Sequence, residues 1–419
     1  MKQLSPMREY IRIIYDRVKN YPPLGLSLLL ATFLFFSHPW ELFNFLSANS
    51  DNPYWGFDYF GLPRCGLALL QGLSTAGSEK VIHYGPWSTD WSSHPAMCFF
   101  LGIPFSQFQN PRHSYFLANT IYYLIHLLAL FVLTPINDKR RFSELRLIEK
   151  IKHYTLYTLV GFFVPYVIIY HYAQYHALSV LAFTFLLMPR PLSVTGYVLS
   201  ALTKPIFAPA GILLIVLKRW SDIFKIVLFT SLGTLPWFFI DKRKSDSSLS
   251  DLFSSGLHKL KYSVPNWEQE QSLAKIIEYF LHPEANFIVR CSIAVLQMVS
   301  AIGLCRKGRH NAALGVTCLI FFTLYARGHE YHAVTLIPLF LVLFHSQEVI
   351  YKSWSFIFVV ALFALPTTYP LLNGVLGSGN GPISSFMQAS IPLGWAFVLQ
   401  RPIAVLALWI FIVWNERDK

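Results

Sequence analysis

The sequence predicts an all-α polytopic membrane protein, and three observations carry that prediction. Hydrophobic residues make up 54% of the 419 and charged residues only 13%, against about 25% charged in a soluble domain. Apolar runs of bilayer length recur along the whole chain. The net charge is +12, and the Lys and Arg residues gather between alternate runs, as in cytoplasmic loops beside anionic lipid. Too few charges are present to coat a water-facing surface; the mean hydropathy is +0.43. The same numbers exclude a disordered or fibrous chain, and the basic excess fits membrane lipids better than nucleic acid.

A hydrocarbon core of about 30 Å takes roughly 20 helical residues. Runs at 25–45, 115–135, 154–172, 286–304, 353–371 and 396–414 meet that length, and shorter ones at 175–188, 222–240, 311–325 and 332–346 suit the inside of a bundle. The first run follows Arg8, Arg12, Arg17 and Lys19 and is not followed by a small-x-small cleavage pattern, which reads as a signal anchor. The stretch 192–217 has two readings: one long crossing, or two short helices hinged at Lys204-Pro205. The hinge puts the N-terminus, the 138–152 loop, Lys218/Arg219/Lys225, Arg306/Lys307/Arg309 and Arg417/Lys419 on one side, whereas one crossing splits them. Charge bias therefore favours the hairpin. The expectation is a single domain, 1–419, of about 10–12 transmembrane helices with both termini cytoplasmic. Its parts are a cytoplasmic 1–24, a first outer loop 46–114, membrane helices 115–240 with the Lys-Pro hairpin, a second outer loop 241–285 and membrane helices 286–419.

The first outer loop is rich in Trp, Tyr, Pro, Gly and His. The second is polar, with Leu252, Leu257, Leu260, Leu273, Ile276, Ile277 and Phe280 at near-helical spacing. Both read as interfacial helices lying on the membrane. Cys291, Cys305 and Cys318 lie in or beside apolar runs and read as small core residues. Only Cys65 and Cys98 share an outer loop in which they could pair.

An ionisable residue at membrane depth is a functional candidate by default. Asp58 sits in Tyr54-Trp55-Gly56-Phe57-Asp58-Tyr59-Phe60, an aromatic setting that would desolvate a carboxylate and raise its basicity, as a general base needs. The plainer alternative is a turn residue, or a partner for Arg64. Farther on, Tyr84, Trp87, Asp90 and His94 interleave rings with an acid and an imidazole. Such a set can grip a sugar, its CH faces on the rings and its hydroxyls on the polar groups; the bland alternative is an interfacial aromatic belt. Lys204, placed near the outer face at a broken helix, suits a phosphate, or is a lysine snorkelling to the interface. Arg327, His329 and His332 crowd a short turn around Gly328. The HEYH run has its histidines at i and i+3, where a zincin helix needs i and i+4, so anion recognition fits better than a metal. His171, Gln174 and His176, at another outer turn, could line the same cavity or be interfacial groups.

Taken together, the early acid, the Tyr-Gly-Pro-Trp and His-Pro segments and the Lys-Pro between short helices resemble the GT-C superfamily of integral-membrane glycosyltransferases. The likeness is closest to the polyprenyl-phosphate-sugar-dependent group called glycosyltransferase family 87, or DUF2029, and covers mainly residues 50–220. The resemblance implies an inverting transfer, on the outer or lumenal face, of a mannose-like hexose or pentose. The donor is a sugar on a polyprenyl phosphate, and the acceptor a lipid or glycan. It implies Asp58 as the base, with Asp51 competing, and the partial match Asp58-Tyr59 to the family's acid followed by a Tyr-rich stretch. Lys204 and Arg327 would stabilise the leaving phosphate, with Arg64 and His332 in reserve, and no cofactor is called for. The implied compartment is a plasma (inner) membrane, or the endoplasmic reticulum in a eukaryote. A transporter or lipid flippase is the rival reading; it predicts charges at the bilayer midplane and two related halves.

Overall fold

The structure, a computed structural model, describes residues 6–37, 59–73, 76–77, 82–85, 91–92, 95–134, 142–241, 273, 277, 281–325, 330–346, 349–365 and 392–417. These residues are α-helical throughout, apart from short 3-10 and π turns and a two-residue antiparallel bridge of Ala76–Gly77 with Trp91–Ser92. Three helical stretches, Pro111–Leu133, Leu147–Tyr170 and Glu284–Arg306, are long and apolar enough to cross a membrane. Most of the second outer loop, 241–285, lies outside the described residues.

Helix α1 (Pro6–Asn20) turns at Tyr21 into α2 (Pro22–Phe36). In the first loop α3 (Gly61–Leu70) packs on a short segment built of Pro95–Met97, a π turn Cys98–Gly102 and Ile103–Ser106. Gly66 and Gly102 make that packing possible: a Cβ on Gly66 would lie 2.1 Å from the Gly102 carbonyl carbon. A disulfide joins Cys65 to Cys98 across the same crossing, while Cys305 and Cys318 are buried thiols. Helices α4 (Pro111–Leu133), α5 (Leu147–Gly161), α6 (Pro165–Tyr172) and α7 (Ala177–Leu186) follow.

Next come α8 (Leu192–Leu202), a 3-10 turn Pro205–Ala210 and α9 (Gly211–Val216). One straight helix from Ser193 to Arg219 would separate them by about 39 Å. Instead Arg219 Nη2 donates to Ser193 Oγ over 3.4 Å, and Tyr197 OH donates to the Ala210 carbonyl over 3.1 Å. The chain therefore goes up and returns, with Lys204 at the tip. Proline explains the break: Pro205 and Pro209 lack the N–H groups a continuing helix needs.

Beyond the hairpin lie α10 (Trp220–Asp241), α11 (Pro283–Arg306) and α12 (His310–Leu324), then a 3-10 turn Glu330–Leu336 leading into α13 (Ile337–Phe344). The last helices are α14 (Trp354–Ala364) and α15 (Pro392–Arg417). Proline again stands where helices restart, at Pro165 in α6 and Pro338 in α13.

Basic residues collect at one pole of the bundle. Arg17 Nη1 donates to the Phe131 carbonyl at the end of α4 over 2.7 Å, and Tyr21 OH meets His153 Nδ1. Tyr157 OH meets His345 Nε2 at 2.7 Å. At the base of the hairpin, the Asp222 carboxylate pairs with Arg190 at 2.7 Å and with Arg219 at 2.6 Å. The helices between are broadly apolar outside as well as inside: Phe224, Val227, Leu232, Val295 and Val299 are all more than half exposed, which suits contact with hydrocarbon.

Candidate functional site

Lys204 caps the 3-10 turn at the hairpin tip in an extended conformation, φ −133 and ψ 122. Its Nζ lies 2.6 Å from His176 Nε2 and 5.4 Å from the centre of the Tyr175 ring. His176, at the start of α7, is fully buried, and its ring lies against that of His332 with centroids 4.3 Å apart. Phe321 and Tyr325 close around His332 at 5.5 and 5.6 Å. Two residues far apart in sequence, Lys204 and His332, thus join one cation–imidazole–imidazole array, its lysine partly buried and its histidines fully so.

Helix α8 has 11 residues, so about 16 Å of rise separates its base from the hinge. His176 and Gln174 are buried within the protein. His171 belongs to α6.

Phenols connect this array to the first loop. Tyr122 of α4, 2% exposed, is within electrostatic reach of both Tyr175 and Tyr59. Its hydroxyl is buried and makes no protein hydrogen bond. Tyr59, the residue after Asp58, is also buried, and burial holds its phenol well above the ordinary range. Burial raises the Tyr84 phenol too, while Ser114 pulls it back. The Tyr84 hydroxyl has the carbonyls of Phe105 and Phe108 at 2.8 and 3.1 Å and Ser114 Oγ at 3.0 Å. That makes Tyr84 a tie between the first loop and α4. Gly85 beside it has φ +85 and lies flat on the Phe60 ring, where a Cβ would come within 2.4 Å. Arg64, on α3, is fully buried.

Asp58, Trp87, Asp90, His94, Arg327 and His329 lie outside the described residues, as does the competing Asp51. Their flanks are informative. Tyr59 leads to Tyr122, and Tyr325 and His332, which bracket Arg327 and His329, meet at the array itself.

Among the described residues, two buried cations escaped the sequence reading, Arg290 and, in α15, Arg401, which donates to the Leu362 and Leu365 carbonyls. Arg290, in α11, is fully buried; its Nε donates to Asn286 Oδ1 over 2.9 Å and its Nη1 to the Leu324 carbonyl. That carbonyl adjoins Tyr325, so Arg290 braces the wall on which His332 rests. Its signal was a lone arginine inside the apolar run 286–304.

No protein-family model, curated protein or solved structure matches this chain. The class defined here is therefore the one its own residues define: a helical chain, apolar enough for a membrane, with a Lys-His-His array at the tip of a broken-helix hairpin.

Proposed function

We propose that the chain is an integral-membrane glycosyltransferase of the GT-C type, closest to family 87, with about twelve membrane segments and both termini cytoplasmic. It transfers a mannose-like hexose or pentose from a polyprenyl phosphate to a lipid or glycan acceptor on the outer or lumenal face. The observation that carries this reading is the contact of Lys204 with His176, whose ring lies against that of His332, together with a first loop held by a disulfide. Disulfides persist in oxidising compartments, which agrees with an outward-facing loop, and the basic pole agrees with a cytoplasmic one.

In this reading Asp58 takes the proton of an acceptor hydroxyl as that oxygen attacks the anomeric carbon from the face opposite the phosphate. The bond from the anomeric carbon to the phosphate oxygen breaks, and its electrons leave with the lipid phosphate. Lys204 and Arg327 receive the developing charge, with Arg64, His329 and His332 nearby in the scheme. Trp87, Asp90 and His94 line the sugar or acceptor, while Tyr59 and Tyr122 present phenols between base and phosphate.

Radiolabelled polyprenyl-phosphate sugars, offered as a panel to the purified protein in lipid, test this reading. Transfer of label from one donor to an extracted acceptor is the expected result. No transfer from any donor, with the protein folded and the donor bound, sinks it. One observation favours a second reading, a carrier of the same lipid phosphate: the array sits at the break between two short helices, as the substrate sites of transporters do. Passage of labelled lipid phosphate across a proteoliposome without transfer would select the carrier.

A further inference from the structure

The inner half of the hairpin carries a second feature, independent of Lys204. A cavity of about 310 Å³ lies between the hairpin arms and α10, lined among others by Tyr197, Ser200, Phe207, Gly211, Ile215 and Val227. Its polar atoms are already bonded within the hairpin: Tyr197 OH to the Ala210 carbonyl, and Ser200 Oγ to the Lys204 carbonyl at 3.1 Å. What remains is hydrocarbon surface. Ile215 and Val227 are at least half exposed, so the groove opens sideways to the surroundings of the bundle.

The end of the groove nearer the basic pole is strongly positive. Tyr197, in the lining, is within electrostatic reach of Arg219 and Asp222. Asp222 is the partner of both Arg190 and Arg219, so one carboxylate faces two guanidiniums. The Arg190 side chain is still 57% exposed, and Lys218 and Lys225 are exposed alongside. Trp220, 61% exposed at the start of α10, marks the headgroup level where tryptophan prefers to sit.

We propose that this groove is a binding site for an anionic phospholipid of the inner leaflet. One acyl chain lies between the hairpin and α10, and the phosphate rests on Arg190 and Lys218. Two observations favour a phospholipid over the prenyl chain of a donor. The groove ends beneath the hinge, within the inner half of the bundle. The Lys204 ammonium, the cation a donor phosphate would seek, points to His176 and Tyr175 and is not among the groove's lining. The proposal rests on the chain lying in a membrane with its basic pole at the inner leaflet, and not on glycosyl transfer, so it stands or falls separately from that activity.

The test is retention of lipid by the full chain in mild detergent, read by native mass spectrometry and lipid extraction after exchange with vesicles of phosphatidylglycerol or phosphatidylcholine. Wild type should retain about one phosphatidylglycerol per chain and much less phosphatidylcholine. Arg190→Gln and Lys218→Asn should each lower phosphatidylglycerol retention about fivefold, the worth of one surface cation; asparagine suits the φ of +54 at Lys218. Gly211→Leu should displace both lipids, because a side chain there projects into open space with nothing within 4 Å. Equal retention of the two phospholipids overturns the headgroup assignment. Retention of endogenous polyprenyl phosphate in their place, or unchanged retention in Gly211→Leu, overturns the site.

Discussion

At the basic pole, Tyr21 and Tyr157 each bond a histidine ring, while at the hairpin tip His176 bonds a lysine. Hydroxyls link the polar cluster: Tyr21 meets His153, Thr134 Oγ1 meets Tyr157 OH at 2.6 Å, and Tyr157 meets His345. Phe142 and Phe344 pack their edges against His153. Hydroxyls meet one nitrogen of each imidazole there, with His345 Nδ1 left without a hydrogen bond among the described residues, and the cluster fastens the turn between α1 and α2 to α5 and to the end of α13. The hairpin-tip cluster contains a cation, two histidine rings tilted against each other and a route of phenols, of which Tyr122 has no hydrogen bond among the described residues. Buried Tyr and His are thus no guide to function by themselves. What distinguishes the second cluster is the lysine bonded to its histidine.

The largest expected effect concerns the residue before Tyr59 in sequence. Asp58→Asn keeps shape and hydrogen bonding but cannot accept a proton, so turnover should fall about 10²–10⁴-fold while donor binding survives. Asp51→Asn and Asp90→Asn are the controls. An active Asp58→Asn beside a dead control moves the base to that control, and three active variants remove the enzyme reading.

Next comes Lys204→Ala. A lost charge-assisted contact costs about 1.5–3 kcal/mol, roughly ten- to a hundredfold in affinity for polyprenyl phosphate. Titrating the lipid phosphate against wild type and variant by tryptophan fluorescence measures it. The matching change in the polar cluster, His345→Gln, should leave that affinity alone. Equal loss in both variants would erase the distinction between the clusters.

Third is Tyr157→Phe, which strips a hydroxyl from between Thr134 and His345. Leaving two buried groups short of a partner costs about 1–3 kcal/mol. The thermal midpoint in detergent should drop, with transfer activity per folded molecule unchanged. A normal midpoint with lost transfer would mean the polar cluster takes part in the chemistry after all.

Much of this division was open to a reader of the sequence, for identifiable reasons. The hinge at Lys204 was visible because Pro205 and Pro209 act locally, and local chemistry is written in adjacent letters. The apolar runs mark the helices for the same reason; 175–188 becomes α7 and 311–325 becomes α12, each within a few residues. The sequence allowed His176 and His332 to share one cavity, as they do, but the contact of His176 with Lys204 was not legible, because a contact between distant segments depends on how the helices pack. The closeness of Cys65 and Cys98 was hidden similarly: it depends on Gly66 meeting Gly102, and spacing alone does not report it. Charge bias assigns loops to sides but measures no distance, whereas the 11 residues of α8 set how far the hinge rises from the base of the hairpin. Arg290 was legible and passed over, a lone charge in a run treated only as hydrophobic.

The smallest expected effect concerns pH, and again it separates the clusters. His345 lies one residue beyond α13, at the basic pole. Burial lowers its pKa from the ordinary 6.5 to about 3, and the neighbouring His153 and Lys352 push the same way. Its ring also meets those of Tyr21 and Tyr157. A histidine whose folded pKa is depressed binds fewer protons folded than unfolded between the two values. Its contribution is therefore complete above pH 6.5 and is lost progressively as pH falls towards 3. The ceiling is about 1.4 kcal/mol per pH unit for one group, and the partial exposure of the ring brings that to about 1 kcal/mol or less. Thermal midpoints recorded from pH 7.5 to 5 should fall on the acid side in wild type and fall less in His345→Gln. A slope that survives unchanged in His345→Gln would assign the acid sensitivity to other groups and leave the polar cluster a purely neutral fastening.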